Sequence, residues 1–333
     1  MKAAIKHLVK PVVVSLASHF GPHTRNGRSP RLWLLMYHRV LPAGDLRYAR
    51  EEPGMLVRPE TLEMHIQEIR KQFELVSLGQ WIQDNQAGRP VPSRACAITF
   101  DDGWLDNYEF AFPVLKASAA PATLFAVAEK IGTDFQFWPN IIATLLLNGA
   151  ASELVAHHRF QPYINRSAGV PTADQIAEVI RRLKVLTDAE IYEALEQINW
   201  RQLCSDMPPA LMSWSQLREM RESGLIEIGS HTCTHRRLTD SLPVEELEYE
   251  IVRSKSILEQ GLQSFVNLFC FPNGDYNEVA LSLVKQHYQA AVTTRRGIND
   301  TDSLGLHELT RIGLHDEVSR SRSLFRARLS GWV

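Results

Sequence analysis

Short apolar runs alternate along this chain with longer amphipathic stretches. Residues 32–37 (LWLLMY) are apolar and aromatic with Pro42 behind them, which predicts a buried strand ending at His38. Between Pro59 and Phe73, the positions Leu62, His65, Ile66, Ile69 and Phe73 recur at helical spacing, and the proline suits a first turn. ACAITF (95–100) predicts a second buried strand, stopped by DDGW. Residues 104–118 predict a helix that breaks or restarts at Pro113, and ATLFAVA (122–128) predicts the next strand. The beat is strand, helix, strand.

The segment 132–210 departs from it, with helical patterns such as IIATLLL and ADQIAEVIRRLKVL and no convincing strand, and predicts a helical insertion. The beat then resumes. WSQLREMRESG predicts a helix closed by Gly224, LIEIGSH a strand, and residues 243–261 a helix with Val244, Leu247, Ile251 and Leu258 on one face. VNLFCFP (266–272), a helix around NEVALSLVKQHY, and AAVTT (290–294) follow. Strands alternating with such helices imply a parallel sheet, and about seven or eight repeats imply closure into an α/β barrel.

Composition narrows the function classes. Of 333 residues, 44% are apolar and 22% charged, which suits a globular domain with a large core and excludes a disordered chain. A formal net charge of −2 leaves no basic footprint for sequence-independent nucleic-acid binding. Cys96, Cys204, Cys233 and Cys270 lie far apart without a C-x-x-C pair, so neither a zinc ribbon nor a disulfide scaffold is indicated and a reducing, cytoplasmic compartment is the default. Ahead of the first strand, lysines precede a short apolar run (12–17) interrupted by Ser15, and the polar stretch 21–30 reads as a linker. Residues 1–25 therefore predict an amphipathic helix that docks on the domain or on a membrane surface, with a cleavable signal as the competing reading.

If the sheet is parallel, chemistry collects where strands end. Asp101 and Asp102 directly follow a buried strand, and adjacent carboxylates repel unless one binds a cation or a proton. An aspartate cap on the next helix is the plain alternative. His231 and His235 follow another strand; in a helical segment, residues four apart share a face and reach one metal ion. With Asp102 they make three ligands and leave a position open for water, as in a catalytic zinc site.

In this order, TFDDG, HTCTH and FPNGDYN resemble the polysaccharide deacetylase family, carbohydrate esterase family 4, over roughly residues 32–330. The resemblance implies a distorted (β/α) barrel, Asp101 as general base, and Asp102, His231 and His235 as ligands of a divalent metal, most simply zinc. It implies a carbohydrate substrate, with N-acetyl groups removed from amino sugars of a glycan or glycan precursor. Action on O-acetyl or N-formyl groups, a glycan-binding protein with a dead centre, and an unrelated barrel hydrolase are the competing readings. Retention of Asp101 stands against the second, and the lack of a His-x-His pair after the first strand against the third.

The departures from the family pattern are informative. Where many members have Arg-x-Pro-Tyr-Gly, this chain has Cys270, Phe271, Pro272, Asn273 and Gly274. Asn273 can supply a backbone N–H to an oxyanion as the tyrosine does. Arg311 is the candidate replacement for the missing arginine that orients the base, with a surface ion pair as its alternative. Two histidines compete as general acid: His38, on a tyrosine–histidine strand like that of circularly permuted members, and His315, near the C-terminus. Trp104 and Trp138 are candidates for stacking on sugar, and the insertion for shaping substrate choice. Cys233 reads as packing, and Tyr276 and Asn277 as a turn.

Overall fold

Parallel strands buried on both faces must be apolar almost throughout, and the runs read above become such strands. They are β1 (Arg31–Tyr37), β2 (Arg94–Phe100), β3 (Ala122–Ala126), β4 (Ile226–Ser230), β5 (Leu268–Cys270) and β6 (Ala290–Arg296), joined by a seventh strand that is not among those runs, β7 (Leu309–Gly313). The computed structural model describes residues 12–25, 27–164 and 170–332. Each strand pairs in parallel with the next in sequence, and β7 pairs with β1, so the seven form a closed ring. Glu74–Leu75 adds in parallel to β2, and Asn299–Asp300 antiparallel to β1.

The period of two decides which side chains enter the ring. Leu32 and Leu34, Ala95 and Ala97, Phe125, Leu268 and Cys270, Ala290 and Val292, and Leu309 form one buried cluster with Leu78, Trp81 and Ile82 of the helix Leu78–Gln86. Counting on by two from these inward positions reaches His38 from Leu34, Thr99 and Asp101 from Ala97, and Arg311 from Leu309. The chemistry thus continues the inward columns of the core toward the carboxyl ends of the strands.

Two helices carry a π turn. At Pro113 the helix restarts rather than breaks: the π turn Asn107–Ala111 runs directly into the α-helix Phe112–Ala117, whose first turn holds the proline and accommodates its missing N–H. A second π turn, Tyr249–Arg253, joins Val244–Glu248 to Ser254–Leu262 and breaks the single periodicity read over 243–261. Leu247, Ile251 and Leu258 are buried accordingly, while Val244 is exposed.

Residues 41–56 and 134–210 form a separate compact unit, and the rest of the chain forms the barrel unit. This second unit is helical, with Trp138–Leu147, Ala173–Leu183 and Asp188–Gln197 packing Ile141, Leu145, Ile180, Leu183, Ile191 and Leu195 into its own core. Thr172 and Thr187 open two of these helices with reciprocal capping boxes. Residues 41–56, not foreseen as part of the insertion, are held to it by Asn140, whose side chain donates to the Arg50 carbonyl at 3.2 Å and to Glu51 at 2.9 Å. Before the barrel, residues 12–20 are helical. The supposed linker is packed over its first part: His23 is buried, and its carbonyl accepts from Arg94 at 3.0 Å.

Candidate active site

The two aspartates after β2 take separate tasks because the backbone turns between them. Asp101 ends the inward column, whereas Asp102 has φ 74 and Gly103 φ 87, a left-handed pair that swings the second carboxylate aside. A side chain at Gly103 would be strained by that φ and would put its Cβ 3.0 Å from Ile131 Cδ1.

Asp101 is gripped by Arg311, whose Nη1 and Nη2 donate to its two oxygens at 2.7 Å each. The guanidinium is fully buried and its remaining donors are also engaged, by the Thr293 carbonyl, Thr99 Oγ1 and Cys270 Sγ. Burial alone would raise the Asp101 pKa, but the charge and hydrogen bonds of Arg311, with His38 beside them, hold it below the ordinary carboxylate value. His38 Nε2 lies 3.8 Å from Asp101 Oδ2, and its imidazole is partly open to solvent. The His38 carbonyl accepts from Asn107 Nδ2 at 2.8 Å, and the next residue, Arg39, is paired with the buried Asp106. The first π turn therefore braces the strand end that carries His38.

His231 and His235 do not sit on a helix. The segment after β4 is a loop in which Thr232 and His235 both have positive φ, 66 and 67. Glu250, in the second π turn, holds this loop: its Oε2 accepts from the backbone N–H groups of Cys233 and Thr234 at 2.9 Å each, and its Oε1 accepts from the Thr234 hydroxyl. The Thr232 hydroxyl accepts from the His235 N–H at 2.9 Å. As a result the two imidazoles lie with ring centroids 5.0 Å apart, and their Nε2 atoms reach Asp102 Oδ1 at 3.3 and 3.4 Å. His231 Nδ1 lies 2.8 Å from the Cys270 carbonyl, which can only accept, so Nδ1 donates there and Nε2 is the nitrogen turned to Asp102.

This trio fits a divalent cation on its own geometry. Asp102 Oδ1 is buried and has no hydrogen-bond donor, while Oδ2 is occupied by Trp104 Nε1 at 2.8 Å. Three ligand atoms of the type a catalytic zinc takes lie within 4.8 Å of one another. A second grouping, Asp101 with His231 and Cys270, fits less well. Arg311 already fills both oxygens of Asp101 and also donates to Cys270 Sγ at 3.2 Å.

Asn273 follows β5 with φ 56 and is exposed at the strand end. His315 is the N-cap residue of the short helix Asp316–Ser319, and its Nδ1 lies 2.7 Å from Oε2 of the exposed Glu317 in that helix. Trp104 is only 2% exposed and carries the Arg39 guanidinium 4.1 Å over its ring. It orients Asp102 from behind, and so buried it offers sugar no face. Trp138 belongs to the core of the helical unit, its indole N–H donating to Asp188 at 3.0 Å, and is likewise no stacking platform. Cys233 is buried, Asn277 caps the helix Glu278–His287, and Tyr276 donates to Glu308 at 2.5 Å. Glu250 and the indole of Trp104 are the two supports of the trio that sequence reasoning missed.

A buried carboxylate with two imidazoles, beside an arginine-clamped aspartate at the carboxyl ends of a parallel barrel, defines a barrel hydrolase site. The chain belongs to the polysaccharide deacetylase family, whose model matches residues 88–292. It is 24% identical over 306 residues to the protein YxkH of Bacillus subtilis (strain 168), which carries the same family name; the alignment covers 87% of this chain and 74% of that one. Over 86 residues it is 31% identical to the poly-beta-1,6-N-acetyl-D-glucosamine N-deacetylase of Escherichia coli (strain K12), a match spanning 26% of this chain and 13% of that protein. The solved structure of Streptococcus pyogenes deacetylase PplD in complex with acetate shares the fold, with TM-score 0.59 at 19% identity, covering 90% of this chain and 99% of that one.

Proposed function

We propose that the protein is a metal-dependent hydrolase that removes N-acetyl groups from amino sugars of a glycan or glycan precursor. The observation that carries this reading is the donor-free Asp102 Oδ1 facing two imidazole Nε2 atoms, next to an aspartate kept anionic by Arg311. Asp102, His231 and His235 would hold a divalent cation, most simply zinc, which when bound would polarise the acetyl carbonyl and acidify the attacking water. Asp101 takes the proton from that water at a carboxylate oxygen. Asn273, at the end of β5, offers its backbone N–H to the developing oxyanion. His38, across from Asp101, gives a proton to the departing sugar nitrogen, because an amine leaves poorly unless protonated. The C–N bond breaks, and the products are acetate and a free amine.

The test is acetate release from a panel of N-acetylated oligosaccharides by metal-stripped protein, before and after zinc is added back. Release that returns with the metal is expected. In the same panel, His38→Ala should depress amide cleavage by roughly 10²-fold or more while sparing an activated acetyl ester, whose leaving group needs no proton. If His315→Ala shows that pattern instead, the acid is misassigned. Release only from O-acetyl or N-formyl substrates would move the assignment to those groups, and none from any substrate with zinc bound would reduce the protein to a binder.

Glu250 gives a second check on the metal loop. Glu250→Ala removes the acceptor of two backbone N–H groups and is expected to weaken zinc affinity about 10- to 100-fold, as loss of an outer support does. Chelator competition on a folded variant measures it. Unchanged affinity would mean that the loop holds its shape without Glu250.

A further inference from the structure

We propose that helix 12–20, with the adjoining turn after the helix Arg322–Leu329, forms a docking face for an anionic lipid bilayer. The helix turns Ala17 and Ser18 inward and leaves Val12, Val13, Leu16 and Phe20 at 59, 39, 51 and 55% exposure. Positions 12, 16 and 20 recur every four residues and lie along one side, with Val13 beside them. The face is anchored to the barrel unit. Gly21 sits so close to Ser330 that a Cβ there would meet Ser330 Cβ at 2.4 Å, and Trp33 Nε1 donates to the Leu329 carbonyl at 3.0 Å. Phe20 and Trp332, the latter 59% exposed, therefore flank the same contact. A tryptophan in that position suits the headgroup level of a bilayer.

Charge selects the partner. Residues 1–30 contain five Lys and Arg and no Asp or Glu, and residues 318–333 contain four Arg and no Asp or Glu, in a chain with net charge −2. Lys2, Lys6 and Lys10 among these lie outside the described residues; Arg25, Arg28 and Arg320 are exposed, and Arg322 and Arg326 share Glu68. His23 registers the local field: burial foremost, and then the charges of Arg326 and Arg94, lower its pKa against the opposing Ser18 carbonyl. A second copy docking isologously would set these cations against themselves. An anionic membrane meets both the apolar residues and the charge. Among the described residues no helix is long and apolar enough to cross a membrane.

The face lies toward the amino ends of the strands, since His23 accepts from Arg94 at the start of β2. Asp101, His231 and Asn273 follow the carboxyl ends, so a docked molecule presents its site away from the lipid.

The experiment is co-sedimentation of the full chain with vesicles of phosphatidylcholine alone or mixed with phosphatidylglycerol, in low and high salt. Binding to the anionic vesicles that high salt removes is expected. Leu16→Ser with Phe20→Ser should weaken it at least about tenfold, and Arg25→Ser with Arg28→Ser about fivefold per charge, with unfolding midpoints unchanged. Should the variants unfold, the lipid and salt dependence of the wild type still decides. The proposal is overturned if the wild type ignores anionic vesicles. It is equally overturned if sedimentation equilibrium shows a dimer that Leu16→Ser with Phe20→Ser dissolves, which would give the face to a second copy.

Discussion

Asp101→Asn is expected to lower turnover by about 10³-fold or more while the metal stays bound. The amide is nearly the same size as the carboxylate and can still accept from one arm of the Arg311 fork, but it cannot take a proton from water. The three proposed ligands, Asp102, His231 and His235, are untouched, and Asp102 is turned away from Asp101 by its own φ of 74. Metal content and turnover measured on one preparation therefore separate the two roles, because His231→Ala should lose both. Equal metal loss in the two variants would contradict the assignment of Asp101 as base. The substitution also leaves Arg311 as a fully buried charge without its anion, so a loss of stability of about 3–5 kcal/mol is expected alongside and assays belong well below the unfolding midpoint.

How far the sequence foretells this arrangement depends on where each residue's partners lie. Strands β1 to β6 are legible because burial on both faces forces continuous apolar runs such as ACAITF. β7 is harder, since LTRIG carries a half-buried threonine and a fully buried arginine in a short strand. The spacing of His231 and His235 suggests a helix, yet a helix is not what joins them: left-handed residues and Glu250 do. Glu250 itself reads as one more acid on a solvated helix, and only the π turn and the fold bring it to a loop 16 and 17 residues earlier. Trp104 misleads in the same way, because nothing local announces that Arg39 covers its ring. Period-two counting along the strands would have pointed Arg311 inward. It could not have said that Asp101, 210 residues away, meets it there.

Through that long-range pair the barrel supplies from β7 a guanidinium that β5 lacks. Position 270 holds a cysteine where many family members carry arginine, and Arg311 Nη2 reaches its sulfur at 3.2 Å. The guanidinium thus comes from β7 through space that the small Cys270 leaves on β5. Arg311→Cys should strip Asp101 of its counter-charge inside the barrel, with a loss of stability of about 3–5 kcal/mol and of turnover of roughly 10²-fold. Arg311→Lys keeps the charge but not the two-pronged geometry, and should fall between. Exchanging the two, as Cys270→Arg with Arg311→Cys, returns a guanidinium to the same carboxylate from the other strand. It is expected to recover at least about tenfold of kcat over Arg311→Cys alone, with KM little changed, because the exchange touches the base and not the sugar. A merely structural arginine would give recovery of stability without recovery of kcat. If the exchange recovers neither, the contact with Cys270 is incidental packing, and Arg311 acts from β7 alone.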